Sequence, residues 1–292
     1  MATHAHAPAS DIYYVPNQSH WPIIASISLF TMMFGGATLL NGGSSTLLFV
    51  GIAMILTTMF GWFGTVVMES ERGFYNEQMD RSFRWGMGWF IFSEVMFFAA
   101  FFGALFYARH YSVPWLGGET EHGVLTQSLI WSGYEAAWPT NGPDKIGGFF
   151  APMSAWGLPA INTLILLSSG ATITWAHWGL VEGNRGKLIK GLAATVGLGF
   201  LFLFLQAEEY IHAYHELNLT LGSGIYGSTF FMLTGFHGLH VTIGAIILTV
   251  ILFRSIAGHF TPHKHFAFEA AAWYWHFVDV VWLGLFIFVY WM

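Results

Sequence analysis

The sequence contains no cysteine. Disulfides, thiolate metal sites, iron–sulfur clusters and covalent c-type haem attachment are excluded together. Charge is nearly as scarce: Asp, Glu, Lys and Arg make up 9% of 292 residues, where soluble domains carry about 25%. With 10 basic and 16 acidic residues the formal charge is -6, so no basic patch exists to bind nucleic acid. Residues 1–20 hold no Lys or Arg and no short apolar core before a cleavage site. They do not read as a signal peptide but as a tail on the inner side of a membrane. No internal repeat of the kind that marks many transporters is visible.

What the chain has in quantity is apolar residues, 55% of the total, gathered in long blocks. A membrane-spanning helix needs about 20 of them. Seven windows qualify: Trp21–Leu40, Thr46–Met68, Trp85–Ala108, Ala155–Trp178, Lys190–Ala213, Tyr226–Phe253 and Ala270–Met292. The first two are charge-free and joined by Asn-Gly-Gly-Ser-Ser, which predicts a hairpin. The stretch His110–Ser154, rich in Gly, Pro and Trp, reads as a packed extramembrane loop. With the N-terminus inside, the inner segments hold Arg72, Arg81, Arg84, Arg185, Lys187, Lys190, Arg254 and Lys264, and the outer ones only Arg109 and Lys145. This bias puts the N-terminus in the cytoplasm and the C-terminus outside.

Few ionisable groups lie inside the windows. Glu94 and Asp279 are each the tenth residue of a helix that enters from inside, so both sit roughly 14 Å deep at 1.5 Å per residue. His237 and His240 are three apart on the sixth helix, and His276 and Asp279 three apart on the seventh, so each pair shares a face. The five side chains are candidate neighbours at mid-depth. A carboxylate there costs several kcal/mol unless neutral or paired. Glu94 reads either as a proton or ion site or as a neutral carboxyl bonded to a histidine of helix six. His276–Asp279, flanked by tryptophans, reads as packing glue. Haem ligation by His237 or His240 requires a partner histidine on another helix at matched depth. Glu208, Glu209, His212, His215 and Glu216 form a second cluster near the outer end of helix five. Glu209-x-x-His212 is half of a di-iron carboxylate motif, whose second half is missing: Glu119-x-x-His122 lies in the Gly-rich loop. His263, Lys264 and His265 read as headgroup contacts rather than metal ligands.

Several stretches carry a resemblance. These are RWGMGWFIFSEVMFF in helix three, LPAINTLILLSSGATITWAHWGLVEG in helix four and LQAEEY ending helix five. GSTFFMLTGFHGLHVTIGA in helix six and HFAFEAAAWYWHFVDVVWLGLFIFVYW at the C-terminus complete the set. In this order they closely resemble subunit III of the haem–copper cytochrome c oxidases, nearly end to end. The stretch Met79–Met87 is similar to the bacterial branch. The resemblance implies an all-α membrane protein of seven transmembrane helices, two plus five, with a lipid-filled V-shaped cleft. As a single domain of 292 residues it would carry no haem, copper or other metal of its own. Haems and copper would reside in partner subunits I and II, fed by a cytochrome c type donor in a bacterial inner membrane. Its role would be to stabilise subunit I, bind structural phospholipids and sustain proton uptake. On the same basis Glu94 is the family's membrane-buried carboxylate, with His237 and His240 around it. Trp62, Phe63, Glu69, Phe90 and Arg254 are the lipid contacts. Met68 departs from the family, where a basic residue is common, and WPTNGPDKI departs in the outer loop. A proton-coupled transporter using Glu94 and Asp279, and a di-iron oxidase, are the alternatives.

Overall fold

The computed structural model describes residues 18–291; residues 1–17, which include most of the expected cytoplasmic tail, lie outside the described part. Its regular structure is helical, and among the described residues β-type pairing is limited to one isolated bridge between Thr261 and Lys264. Helices α1 (Trp21–Leu40), α2 (Thr46–Glu71) and α3 (Glu77–Tyr107) are followed by a π-helical turn, Ala108–Ser112, and two short helices, α4 (Val113–Leu116) and α5 (Gly123–Leu129). Then come α6 (Leu158–Val181), α7 (Arg185–His215), α8 (Gly224–Ala257) and α9 (Phe266–Leu285), the last continued by a π-helical turn, Phe286–Trp291. Among the described residues seven helices are long and apolar enough to cross a membrane. A backbone in hydrocarbon must satisfy its own N–H and C=O groups, and a helix does so within one segment.

The helices outrun the apolar windows. Helix α3 starts at Glu77, not Trp85, because a polar turn precedes the apolar run, stapled by the Asp80–Arg84 pair at 2.7 Å. Beyond Ala108 the helical path continues through Arg109 and His110 to Leu116. Hydropathy falls there but the backbone ladder does not, so the extramembrane loop begins later than the composition suggests. That loop is packed: Ala151 N–H donates to Leu217 O (2.9 Å) and Tyr226 N–H to Thr140 O (3.2 Å). Phe150 and Trp138 rest on Tyr226.

The chain divides into two compact units at Trp85–Gly86. In the first, α1 and α2 form the expected hairpin. A Cβ at Gly35 or Gly51 would collide with the facing helix, the small-residue close approach by which apolar helices associate in lipid. Ser28 and Thr58 hydroxyls meet at 3.3 Å in the interface.

In the second unit α9 is the centre. Half of its most apolar window is buried, against 11% for the corresponding windows of α1, α2 and α3. Trp275 and Trp282 are completely buried. Each indole N–H finds a hydroxyl on α6: Ser169 Oγ at 2.8 Å and Thr163 Oγ1 at 2.9 Å. The bulk of Trp275 is accepted by glycines, since Cβ atoms at Gly199 of α7 and Gly244 of α8 would lie 2.8 and 2.9 Å from its ring. Helices α6 and α7 pair through Thr172 and Thr195 (2.8 Å) and turn at Gly183 (φ 71°). Asn184 caps α7 by accepting from Lys187 N–H.

Gly244→Leu therefore overfills the Trp275 site and is expected to cost about 1–3 kcal/mol. A Cβ at Gly238 meets nothing within 4 Å, so Gly238→Leu is the control. The thermal aggregation temperature of the detergent-solubilised protein should drop for the first variant and not the second.

Candidate functional site

Helix α3 carries Glu94 on the face that meets α8 and α9. Its Oε2 lies 2.7 Å from His240 Nε2. The other nitrogen, His240 Nδ1, is 2.6 Å from the Phe236 carbonyl one turn back on α8. Since a carbonyl only accepts, Nδ1 carries a proton. Nε2 then faces Glu94 either as a second N–H, with the carboxyl ionised, or as a bare nitrogen that accepts from a protonated carboxyl. In both forms one proton sits between the two groups. Phe97, Phe98, Phe277 and Tyr274 surround the imidazole, with centroids 5.0 to 6.5 Å away. Glu94 itself is half-buried.

The five mid-depth side chains do not form one cluster. His237 is completely buried between Phe202 (5.8 Å) and Trp282 (5.1 Å), and neither ring nitrogen has a hydrogen-bond partner. It shares a broad face with His240 but is turned from it by about 60°, the angle that three residues leave on a 3.6-residue helix. Only His240 reaches Glu94. His276 and Asp279 turn to α6: Asp279 Oδ2 is 3.5 Å from His276 Nδ1, and His276 Nε2 is 3.3 Å from Thr174 Oγ1. A Cβ at Gly170 would meet the Asp279 carboxylate at 2.5 Å. Through Thr174 and Gly170 the pair links α9 to α6.

The outer cluster on α7 also divides. Glu209 is fully buried and accepts from Tyr290 OH at 2.6 Å. His212 pairs with Glu216 at 3.0 Å on the exposed side. Glu208 and Glu209 look alike in the sequence; only the rotation of α7 separates them. No three of these α7 side chains lie close enough to hold one ion. The one group of three or more His and carboxylate side chains close enough to hold an ion among the described residues is His177, His265 and Glu269. No sequence pattern joins the three, because His177 lies on a different helix and His265 sits in a loop whose composition suits headgroups.

The residues named as lipid contacts fall in both units. In the first, Trp62 and Glu69 of α2 line a cavity of about 380 Å³ together with Trp21, Tyr75 and Phe83. Tyr75 OH donates to Glu69 Oε2 at 2.7 Å. Phe63 does not line it and is 60% exposed. In the second, Phe90 stacks on Tyr274 at 6.2 Å, and the Arg254 guanidinium lies 4.7 Å from the Phe260 ring near the end of α8.

The architecture is that of a multi-pass helical membrane protein, several of whose buried polar groups pair helix to helix. The family model described as Cytochrome c oxidase subunit III matches residues 11–292. The chain is similar to "Cytochrome c oxidase subunit 3" of Lemur catta, 42% identical over 280 residues, covering 96% of this chain and 92% of the relative. It is similar to the protein of the same description from Carassius auratus, 41% identical over 292 residues, covering 100% and 99%. The chain belongs to the cytochrome c oxidase subunit III family and is thereby a membrane subunit of that oxidoreductase complex, without a redox centre of its own. Nothing in these likenesses supports the transporter alternative.

Removing the Tyr290 hydroxyl leaves a buried carboxyl short of its donor. Tyr290→Phe should cost about 1–3 kcal/mol, read as a lower unfolding midpoint in a denaturing detergent titration. Adding Glu209→Leu should recover part of the loss, since both polar partners are then gone.

Proposed function

We propose that this chain is the non-redox core subunit that flanks subunit I of a proton-pumping oxidase, which reduces oxygen with electrons from a cytochrome c type donor. It stabilises subunit I, holds structural phospholipids and sustains proton uptake. The observation that carries this reading is the Glu94–His240 bond, 2.7 Å long and enclosed by aromatic rings. It fastens α3 to α8 across the membrane interior. A polar group that fixes packing needs a partner of fixed geometry, whereas a proton carrier needs one that it can leave. His240 is held from both sides, by Glu94 and by Phe236 O. Glu94 is accordingly a packing group that shapes the face presented to subunit I, not an obligatory proton carrier.

The haems and copper belong to the partner subunits I and II. Phospholipid binding is supported by the cavity beside Trp62 and Glu69 and by Arg254, whose charge near a helix end suits a headgroup phosphate. The excess of Lys and Arg on one set of loops supports a cytoplasmic N-terminus and a periplasmic C-terminus. The Met79–Met87 stretch supports a bacterial inner membrane.

A tagged chain purified in mild detergent should bring down subunits I and II with haem bands in the reduced-minus-oxidised spectrum. A lone colourless chain would overturn the reading. Glu94→Gln, which keeps a hydrogen bond to His240, should leave assembly, lipid content and pumping close to the parent. Loss of pumping from a fully assembled, fully lipidated complex would show Glu94 to be a proton carrier. Arg254→Gln should lower retained anionic phospholipid several-fold, as about 1 kcal/mol per basic residue implies, read by lipid mass spectrometry.

A further inference from the structure

Where α6 ends and α9 begins, three side chains with lone pairs converge. Glu269 Oε1 is 3.1 Å from His265 Nε2 and 3.8 Å from His177 Nε2. All three ligand atoms lie within 4.8 Å of one another. We propose that His177, His265 and Glu269 form a binding site for a divalent transition-metal ion of zinc's class, which clips the last turn of α6 to the first turn of α9.

The site is built from both sides. His265 and Glu269 are four apart at the start of a helix and share its face. His265 is set by the short turn before it, in which Thr261 and Lys264 exchange backbone hydrogen bonds at 3.2 Å. Its Nδ1 lies 3.0 Å from the Thr261 carbonyl, so Nδ1 carries the hydrogen and Nε2 is the nitrogen turned to the site. This is the outer-shell arrangement that orients metal-binding imidazoles. His177 is held by the Phe268 ring, 5.4 Å from its own.

A His265–Glu269 ion pair explains only part of the geometry. A proton between those two leaves His177 Nε2 buried with no hydrogen-bond partner, although it faces the same carboxylate oxygen. Buried polar atoms are nearly always partnered. One cation gives all three atoms a partner at once. Ligands about 2.0–2.1 Å from a tetrahedral zinc stand roughly 3.3 Å apart, and the two imidazole nitrogens lie 3.1 and 3.8 Å from the carboxylate oxygen. Two imidazoles with one carboxylate suit zinc, cobalt or nickel, whereas calcium and magnesium take oxygen sets. Three protein ligands leave a fourth position for water or for a group from a neighbouring subunit. The ion's role is mechanical, and no redox step is involved.

The test uses the assembled oxidase, stripped with chelator and re-equilibrated with zinc alone. Bound zinc is measured by mass spectrometry and its surroundings by zinc K-edge absorption. The parent complex should retain one zinc more per copy of this chain than His177→Gln or His265→Asn, in a shell containing imidazole nitrogen. Glu269→Gln, which preserves shape, should weaken that zinc at least about tenfold. It carries the comparison if a histidine variant sheds the chain. Equal zinc in parent and variants, no retained zinc in the parent, or a shell without imidazole would each overturn the proposal.

Discussion

A polar atom inside hydrocarbon has no solvent to turn to, so a partner on another helix is strongly favoured. This constraint organises the second unit. Ser169 and Thr163 receive the two buried indoles of α9. Asp279 turns to α6, Tyr290 reaches Glu209, and His240 holds Glu94. Apolar contact alone discriminates poorly between helices in lipid, because acyl chains are as apolar as leucine. The sparse polar pairs therefore decide which helix stands beside which. Glycines such as Gly199 and Gly244 then let the large rings at the centre be enclosed.

The same division separates the two units in character. The α1–α2 hairpin rests on small-residue contacts and two hydroxyls, with most of its surface apolar and exposed. The second unit has a buried core of aromatic and polar groups around α9. On the proposed reading, what such a core offers to a partner subunit is a fixed shape.

The seven spans were legible because bilayer thickness sets a minimum length for an apolar run, and charge-poor runs of that length are unambiguous here. Their ends were not, because helices α3, α7 and α8 continue into polar turns that hydropathy treats as loop. Glu94 and His240 were legible as partners: few ionisable groups lie at that depth, and rise per residue aligns them. His237 was grouped with them because a three-residue spacing hides a rotation that only packing reveals. Glu209 was not distinguishable from Glu208, for the same reason. The meeting of His177 with His265 and Glu269 required knowing that α6 and α9 are neighbours, which no local pattern states.

The order in which these helices are made carries a consequence of its own. Helices α6 and α7 are joined by only a tight turn and can enter the membrane as a ready-made pair, as can α1 and α2. Helix α3 has no such companion. Its partner residue, His240, lies 146 positions further along the chain. At about 5–20 residues per second of synthesis, Glu94 waits on the order of ten seconds in the membrane before the imidazole that completes it exists. During that interval its carboxyl has no imidazole to meet. The protein's most exposed moment is thus one of biosynthesis.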